Sequence, residues 1–105
     1  MANPLYMPIE NNFETTLRQQ LDDDPAALTI YLNAVPTATL PAGYYFVGTL
    51  NPKTNLAEDV IIESISTSLN TVTVKAAGRA QNQGNGFSGT IHQHPVGSKF
   101  IISNA

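Results

Sequence analysis

Glu58-Asp59-Val60-Ile61-Ile62-Glu63-Ser64-Ile65 and, five residues later, Thr71-Val72-Thr73-Val74-Lys75-Ala76 are the stretches that decide the fold. β-Branched residues dominate both, and they suit a pleated, half-buried surface better than a helix. In the second stretch Val72, Val74 and Ala76 alternate with Thr71, Thr73 and Lys75, the period of a strand with one wet face. The polar run Ser66 to Asn70 between them reads as a turn, so the two strands form a hairpin. In the first strand Ile61, Glu63 and Ile65 are expected on one face, with Val60 and Ile62 on the other. Asp59 and Glu63 share a face, expected to be the solvated one.

Upstream, Tyr44 to Leu50 carries large β-formers on both faces. It reads as a central strand, or as one whose outer face meets another subunit. Asn33 to Gly43 is a loop in which Leu40 is expected to tuck inward. Ala27 to Leu32 is a strand with Leu28, Ile30 and Leu32 on one face. Asp22-Asp23-Asp24-Pro25 breaks the chain into a turn; its three carboxylates lack the internal Gly and distant Glu of a calcium loop. Glu10 to Leu21 is ambiguous, because Phe13, Leu17 and Leu21 recur every four residues, a spacing that fits a helix face and a strand face. Asn12 as a cap and a Glu14–Arg18 pair favour helix, whereas Thr15 and Thr16 oppose it.

Downstream, Gly78 to Gly89 is a long Gly- and amide-rich loop. Its Gly-Asn-Gly centre lacks the Lys-Ser/Thr ending of a phosphate cradle. Lys99 to Ser103 is a closing strand with Phe100 and Ile102 inward. At the other end, Met1 to Ile9 holds two prolines, which exclude a helix interior. Leu5, Tyr6, Met7 and Ile9 make it too apolar for a solvated tail. Such an arm docks either on its own domain or on a neighbouring subunit. The expected fold is all-β: a small antiparallel β-sandwich or barrel of five to seven short strands, with an extended N-terminal arm. Residues 1–12 are the docking arm and 13–105 a single β-domain.

Composition narrows the function classes. The chain has 105 residues, enough for one domain. Charged residues make up 12%, about half the usual share. A surface poor in charge but rich in Thr, Asn, Ser and Gln suits a subunit that sits against others. The net charge is −3, and the five basic residues are scattered, so a nucleic-acid groove is not expected. There is no cysteine, no apolar run of membrane-spanning length, and no basic, apolar leader at the N-terminus. Synthesis in the cytoplasm is the expectation, with no membrane partner.

No motif for nucleophilic catalysis is present, and no Gly-x-Ser-x-Gly elbow. Paired carboxylates drawn from Glu58, Asp59 and Glu63 read better as a solvated strand face than as glycosidase groups. His92-Gln93-His94 would aim two imidazoles the same way in a strand, which suits a shared metal. A third ligand is missing and Pro95 follows at once, so both histidines read as turn and surface residues. The chain is expected to be no enzyme and to hold no cofactor or metal.

Phe13-Glu14-Thr15-Thr16-Leu17, Leu21-Asp22, Leu28-Thr29-Ile30 and Leu40-Pro41-Ala42-Gly43 open a recognisable order of segments. Asn51-Pro52, Glu58-Asp59-Val60-Ile61 and Thr71-Val72-Thr73-Val74 continue it, and Arg79, Gly89-Thr90, His94 and Gly97-Ser98 complete it. This order resembles a small β-module of tailed-bacteriophage virion structural proteins, over residues 13 to 103. It departs from that module in the long, amide-rich loop after Arg79 and in the placement of Pro95-Val96. The resemblance implies a non-enzymatic virion protein, a capsid decoration or cement subunit that stabilises the phage head. Its implied partners are other copies of itself, as a trimer, and the major capsid protein. Leu5, Tyr6, Met7 and Ile9 of the arm, with Arg79, Asn85 and Phe87 of the loop, are the expected interface. A tail, baseplate or fibre-anchoring adaptor is the structural alternative. A carbohydrate-binding module using Tyr44, Tyr45 and Phe87 is the alternative from another class.

Overall fold

The computed structural model describes residues 5–6, 13–37, 40, 43–80 and 91–102, with Leu5 and Tyr6 described at the level of the backbone. The described residues form seven strands and no helix. They are β1 (Leu5–Tyr6), β2 (Phe13–Thr16), β3 (Thr29–Tyr31), β4 (Tyr44–Leu50), β5 (Glu58–Ser66), β6 (Thr71–Val74) and β7 (Lys99–Ile102). The all-β expectation holds.

β5 and β6 are the expected hairpin, antiparallel, with Ser66 opposite Thr71 and Ile62 opposite Val74. The register shifts between Ile62 and Ser64, which makes Glu63 the extra residue of a β-bulge. A bulge reverses the alternation beyond it. Val60 and Ile62 lie in the core, and Ile65 past the bulge packs against that same core, while Ile61 does not belong to it. The expectation that Ile61 and Ile65 share a face is therefore corrected, because strict period two does not survive an inserted residue.

The strands follow the order β2-β7-β4-β5-β6-β3, every neighbouring pair antiparallel. An antiparallel bridge between Leu17 and Leu32 then joins the end of β2 to the end of β3. Arg18 N–H donates to Tyr31 O at 2.8 Å and Asn33 N–H to Thr16 O at 3.0 Å across this seam. The six strands thus close into a small barrel, the arrangement that removes sheet edges. Arg18 fastens the seam from outside. Its Nε donates to Leu32 O at 3.1 Å, its Nη2 donates to Leu69 O at 2.8 Å, and the guanidinium lies 5.3 Å from the Tyr31 ring centre.

This closure also settles residues 13–21. Phe13 to Thr16 is extended, in register with Ile102 to Lys99. Leu17 and Leu21 are buried at the seam and at a bridge to His94. A lone amphipathic helix of about a dozen residues is marginal in water. Two adjacent threonines weaken it further, whereas the barrel pairs Phe13 to Thr16 with β7 and buries Leu17 and Leu21.

The core sits inside the barrel. Phe46, Leu50, Ile30, Leu32, Phe100 and Ile102 are among its fully or almost fully buried members, with Leu28 and Leu40 packed against it as anticipated. β4 is the central strand, between β7 and β5. β1 lies parallel to β4, with Leu5 opposite Tyr44 and Tyr6 opposite Tyr45. The two described residues of the arm thus pair with their own domain. Met7 and Ile9 lie outside the described residues.

Candidate functional site

The main concentration of buried polar chemistry among the described residues is where the strand ends Glu58 and Val74 meet the segments around Leu21 and His94. Glu58 opens β5 and is 1% exposed. Its Oε2 accepts from Arg79 Nε at 2.5 Å and from Ala80 N–H at 3.1 Å. Its Oε1 accepts from His94 Nε2 at 2.8 Å, His92 N–H at 3.0 Å and Arg79 Nη2 at 3.2 Å. Five donors converge on one carboxylate, and both its oxygens are saturated.

Arg79 is delivered by a tight approach of chain. Gly78 lies so close to β5 that a Cβ there would press on the carbonyls of Lys75 and Ile61. Ala77 and Ala80 on either side have positive φ, 62° and 56°. The backbone turns the guanidinium inward, where it is more than an ion-pair partner. Nη1 donates to the carbonyls of Asp22, Asp24 and Ala27 at 3.0, 3.3 and 2.9 Å, and Nη2 to His92 O at 3.0 Å. The planar five-donor fork of arginine is the side chain suited to this task; a lysine has too few donors.

His94 completes the cluster. Its backbone N–H and C=O both pair with Leu21 at 2.8 Å. Its Nδ1 is 2.8 Å from Asn51 Nδ2, and its Nε2 meets Glu58. With Asn51 donating its amide, Nδ1 accepts and Nε2 carries the proton, which fixes the tautomer of the neutral ring.

The cluster sets the charge state of Glu58. Burial pushes the carboxyl up. The hydrogen bonds from His94, Arg79 and the His92 N–H, with the Arg79 charge, outweigh it and hold the group down from 4.5 to about 2. Folded Glu58 therefore releases its proton more readily than unfolded Glu58. The stability it contributes is fully present above pH 4.5 and is lost as pH falls from there towards 2. Chemical denaturation at stepped pH should show a decline of about 3 kcal/mol across that window from this group alone. Replacing Glu58 with Gln should flatten that part of the profile.

Chemically, the arrangement is a clasp. It ties the 22–27 turn, the start of β5, the 79–80 segment, Asn51 and the 92–94 segment into one end of the barrel. The Glu58, Arg79 and His94 side chains are 0–1% exposed. A general acid or base must come within hydrogen-bond reach of a substrate, and in this conformation none of the three meets solvent.

Several expectations change here. His94, read as a turn or surface residue, is 0% exposed. His92 enters through its backbone, and its ring stands edge-on to that of His94, with centres 6.2 Å apart. The two rings do not form a metal pair as placed, since both nitrogens of His94 are already engaged. Among the described residues no group of three or more His, Cys, Asp or Glu is arranged to hold a metal. Asp59, expected on a solvated face, is buried and accepts from Thr49 Oγ1 at 2.7 Å. Arg79, expected to meet a partner from an exposed loop, is 4% exposed with its guanidinium turned inward; flanking Gly and amide residues made it look solvated. Asn85 and Phe87 lie outside the described residues. The exposed turn Asp22 to Asp24 serves the cluster through its carbonyls, while Asp24 Oδ1 caps Ala26 N–H at 2.9 Å.

The sequence reading missed Glu58 as the hub. The available signal was an acid at the head of an aliphatic run in a chain with few charges. Its partners lie 21 and 36 residues away, a separation that topology alone bridges.

The fold and cluster define a six-stranded antiparallel barrel clasped at one end by a buried ionic hub. This chain matches no protein-family model, no curated protein and no solved structure.

Proposed function

We propose that this chain is a non-enzymatic virion structural protein of the tailed-bacteriophage type, a capsid decoration subunit that binds the phage head and other copies of itself. One observation carries the reading. Residues that bear the likeness to the phage module, Asn51, Glu58, Arg79 and His94 with Leu21-Asp22, are those that meet in the clasp. Their order along this chain has a physical cause, since together they close one end of this barrel. The likeness is to a structural device, which speaks for the module; the virion role comes with the module.

The surface is consistent with assembly. The ion pairs of highest quality are inside, and the one further pair among the described residues, Lys99–Glu14 at 3.3 Å, is half exposed. Leu69 and Val96 stand out at 65% and 64% exposure. The proposed contacts are Leu5, Tyr6, Met7 and Ile9 of the arm with Asn85 and Phe87 of the loop; Arg79 holds the foot of that loop. An arm burying roughly 300 Å² of apolar area contributes about 7 kcal/mol before ordering costs. Tyr44 and Tyr45 are consecutive strand residues that point to opposite faces, so they do not form one stacking platform for a sugar.

A variant lacking residues 1–9 tests the reading. Its barrel should fold, judged by circular dichroism and a cooperative melt, and its co-sedimentation with phage heads should fall at least tenfold. Undiminished co-sedimentation would remove the arm from the interface.

A further inference from the structure

We infer that the N-terminal half of β4, at Tyr44 and Tyr45, is a strand-acceptor site that takes the Leu5–Tyr6 segment of a second copy of this chain. It makes specific the self-association in the proposed function, and its test does not involve particles.

The observation is an asymmetry in how β4 is covered. β5 pairs with Phe46 to Leu50 and β7 with Gly48 to Leu50. Tyr44 and Tyr45 are reached by neither, and β1 is what pairs with them. β2 and β3 stand at the two ends of the strand order and are joined just beyond their last residues by the Leu17–Leu32 bridge. At Tyr44 and Tyr45 the pairing of β4 is made by a segment outside the six-strand order. An uncovered strand end of this kind takes up extended chain by main-chain pairing.

The segment that fills it is weakly held by its own contacts. It is parallel to β4, whereas every other pairing in the sheet is antiparallel, and it is two residues long. A pairing of two residues does not persist by itself. Its covalent connection to β2 is what gives it a high effective concentration beside β4. Phe13 lies opposite Ile102, and Ile102 lies opposite Gly48, so β2 runs in the same direction as β1 and starts a few residues further along β4.

A short strand on a tether makes the same hydrogen bonds whether the acceptor is its own β4 or that of a neighbour. Effective concentration alone separates the two forms. Exchange of an identical element between copies is the low-cost route to an oligomer in such a case. The occupant is a second copy because the matching register already exists within this sequence, Leu5 to Tyr44 and Tyr6 to Tyr45.

The chain has no cysteine, so introduced pairs report without interference. Leu5→Cys and Tyr44→Cys are placed in separate proteins, co-refolded at high concentration and oxidised. Register partners lie within disulfide range. Exchange predicts a dimer-mass band on a non-reducing gel in the mixture, in large excess over either variant oxidised alone. Tyr6→Cys with Tyr45→Cys repeats the test at the second register pair, and circular dichroism verifies folding of each variant. Unsubstituted protein should also show a concentration-dependent oligomer by light scattering that disappears when residues 1–9 are removed. The inference is overturned if a protein carrying both cysteines forms its bridge within one chain while the mixtures yield no excess of dimer. It is equally overturned if neither arrangement bridges, or if oligomers survive the truncation. Loss of particle binding with exchange intact would count against the decoration role alone.

Discussion

Glu58→Gln is expected to destabilise the protein by about 3–5 kcal/mol, measured as the shift in urea unfolding at pH 7. Removing the carboxylate leaves the Arg79 guanidinium charged and buried, with four carbonyls around it but no counter-charge. The N–H groups of His92 and Ala80 and the His94 Nε2 lose an ionic acceptor in the same step. An amide oxygen replaces part of this, but a single amide cannot serve five donors. The loss is comparable with the whole stability of a small domain, so the variant should sit near its unfolding threshold. Arg79→Met should cost a similar amount, because it strands the carboxylate and the same carbonyls. The double variant should cost less than the sum of the two, since it strands neither charge; a coupling of about 2 kcal/mol is the expected sign of a shared site. Strict additivity would mean that the two side chains do not act together.

Gly48→Ala should cost about 3 kcal/mol, the upper part of the range for overpacking a filled core. Gly48 lies inside the barrel on β4, and a Cβ built there would overlap Cζ and Cε1 of the Phe100 ring. That ring is 0% exposed and wedged among other fully buried side chains, so it has no free volume to retreat into. Alanine favours the strand backbone by about 0.5–1 kcal/mol, too little to offset the overlap. Phe100→Leu in the Gly48→Ala background should recover part of the loss by vacating that space, although Phe100→Leu alone is destabilising. A thermal melt of the four proteins measures both effects. A Gly48→Ala variant as stable as the parent would show that the ring moves aside freely.

Local pattern made much of the barrel legible. The β5–β6 hairpin follows from Val72, Val74 and the polar turn before them, because period-two alternation reports a strand with one buried face. The same alternation places Ile30, Leu32, Phe100 and Ile102 inward, where they are. Residues 13–21 were undecidable, because an apolar residue every four positions satisfies both geometries; barrel closure at Leu17 and Leu32 is a non-local event that no window of sequence contains. The bulge at Glu63 was invisible for a related reason. Nothing about Glu-Ser marks an inserted residue, and its consequence, the turning of Ile65 to the core, appears only once β6 is in register.

The clasp was the least legible part. Residue type alone places Asp59 and the histidines outward, a sound default when no partner is in view. Burial of Glu58 is tolerable only because Arg79 and His94 arrive from 21 and 36 residues away. Its company in sequence, a Gly- and amide-rich stretch, points Arg79 towards a partner surface. Its actual company is three carbonyls of the 22–27 turn, which local pattern marks only as a break in the chain. Long-range pairing of a few charges in a charge-poor chain leaves no local trace. It becomes readable only when the fold brings Glu58, Arg79 and His94 together.

The most direct test of the proposed role is the stoichiometry of this chain in purified particles made by the genome that encodes it, measured by quantitative mass spectrometry against the major shell protein. A decoration subunit predicts a copy number comparable with that of the shell protein. A handful of copies would place the chain in the tail or baseplate instead, and its absence from the particle would contradict a virion role altogether.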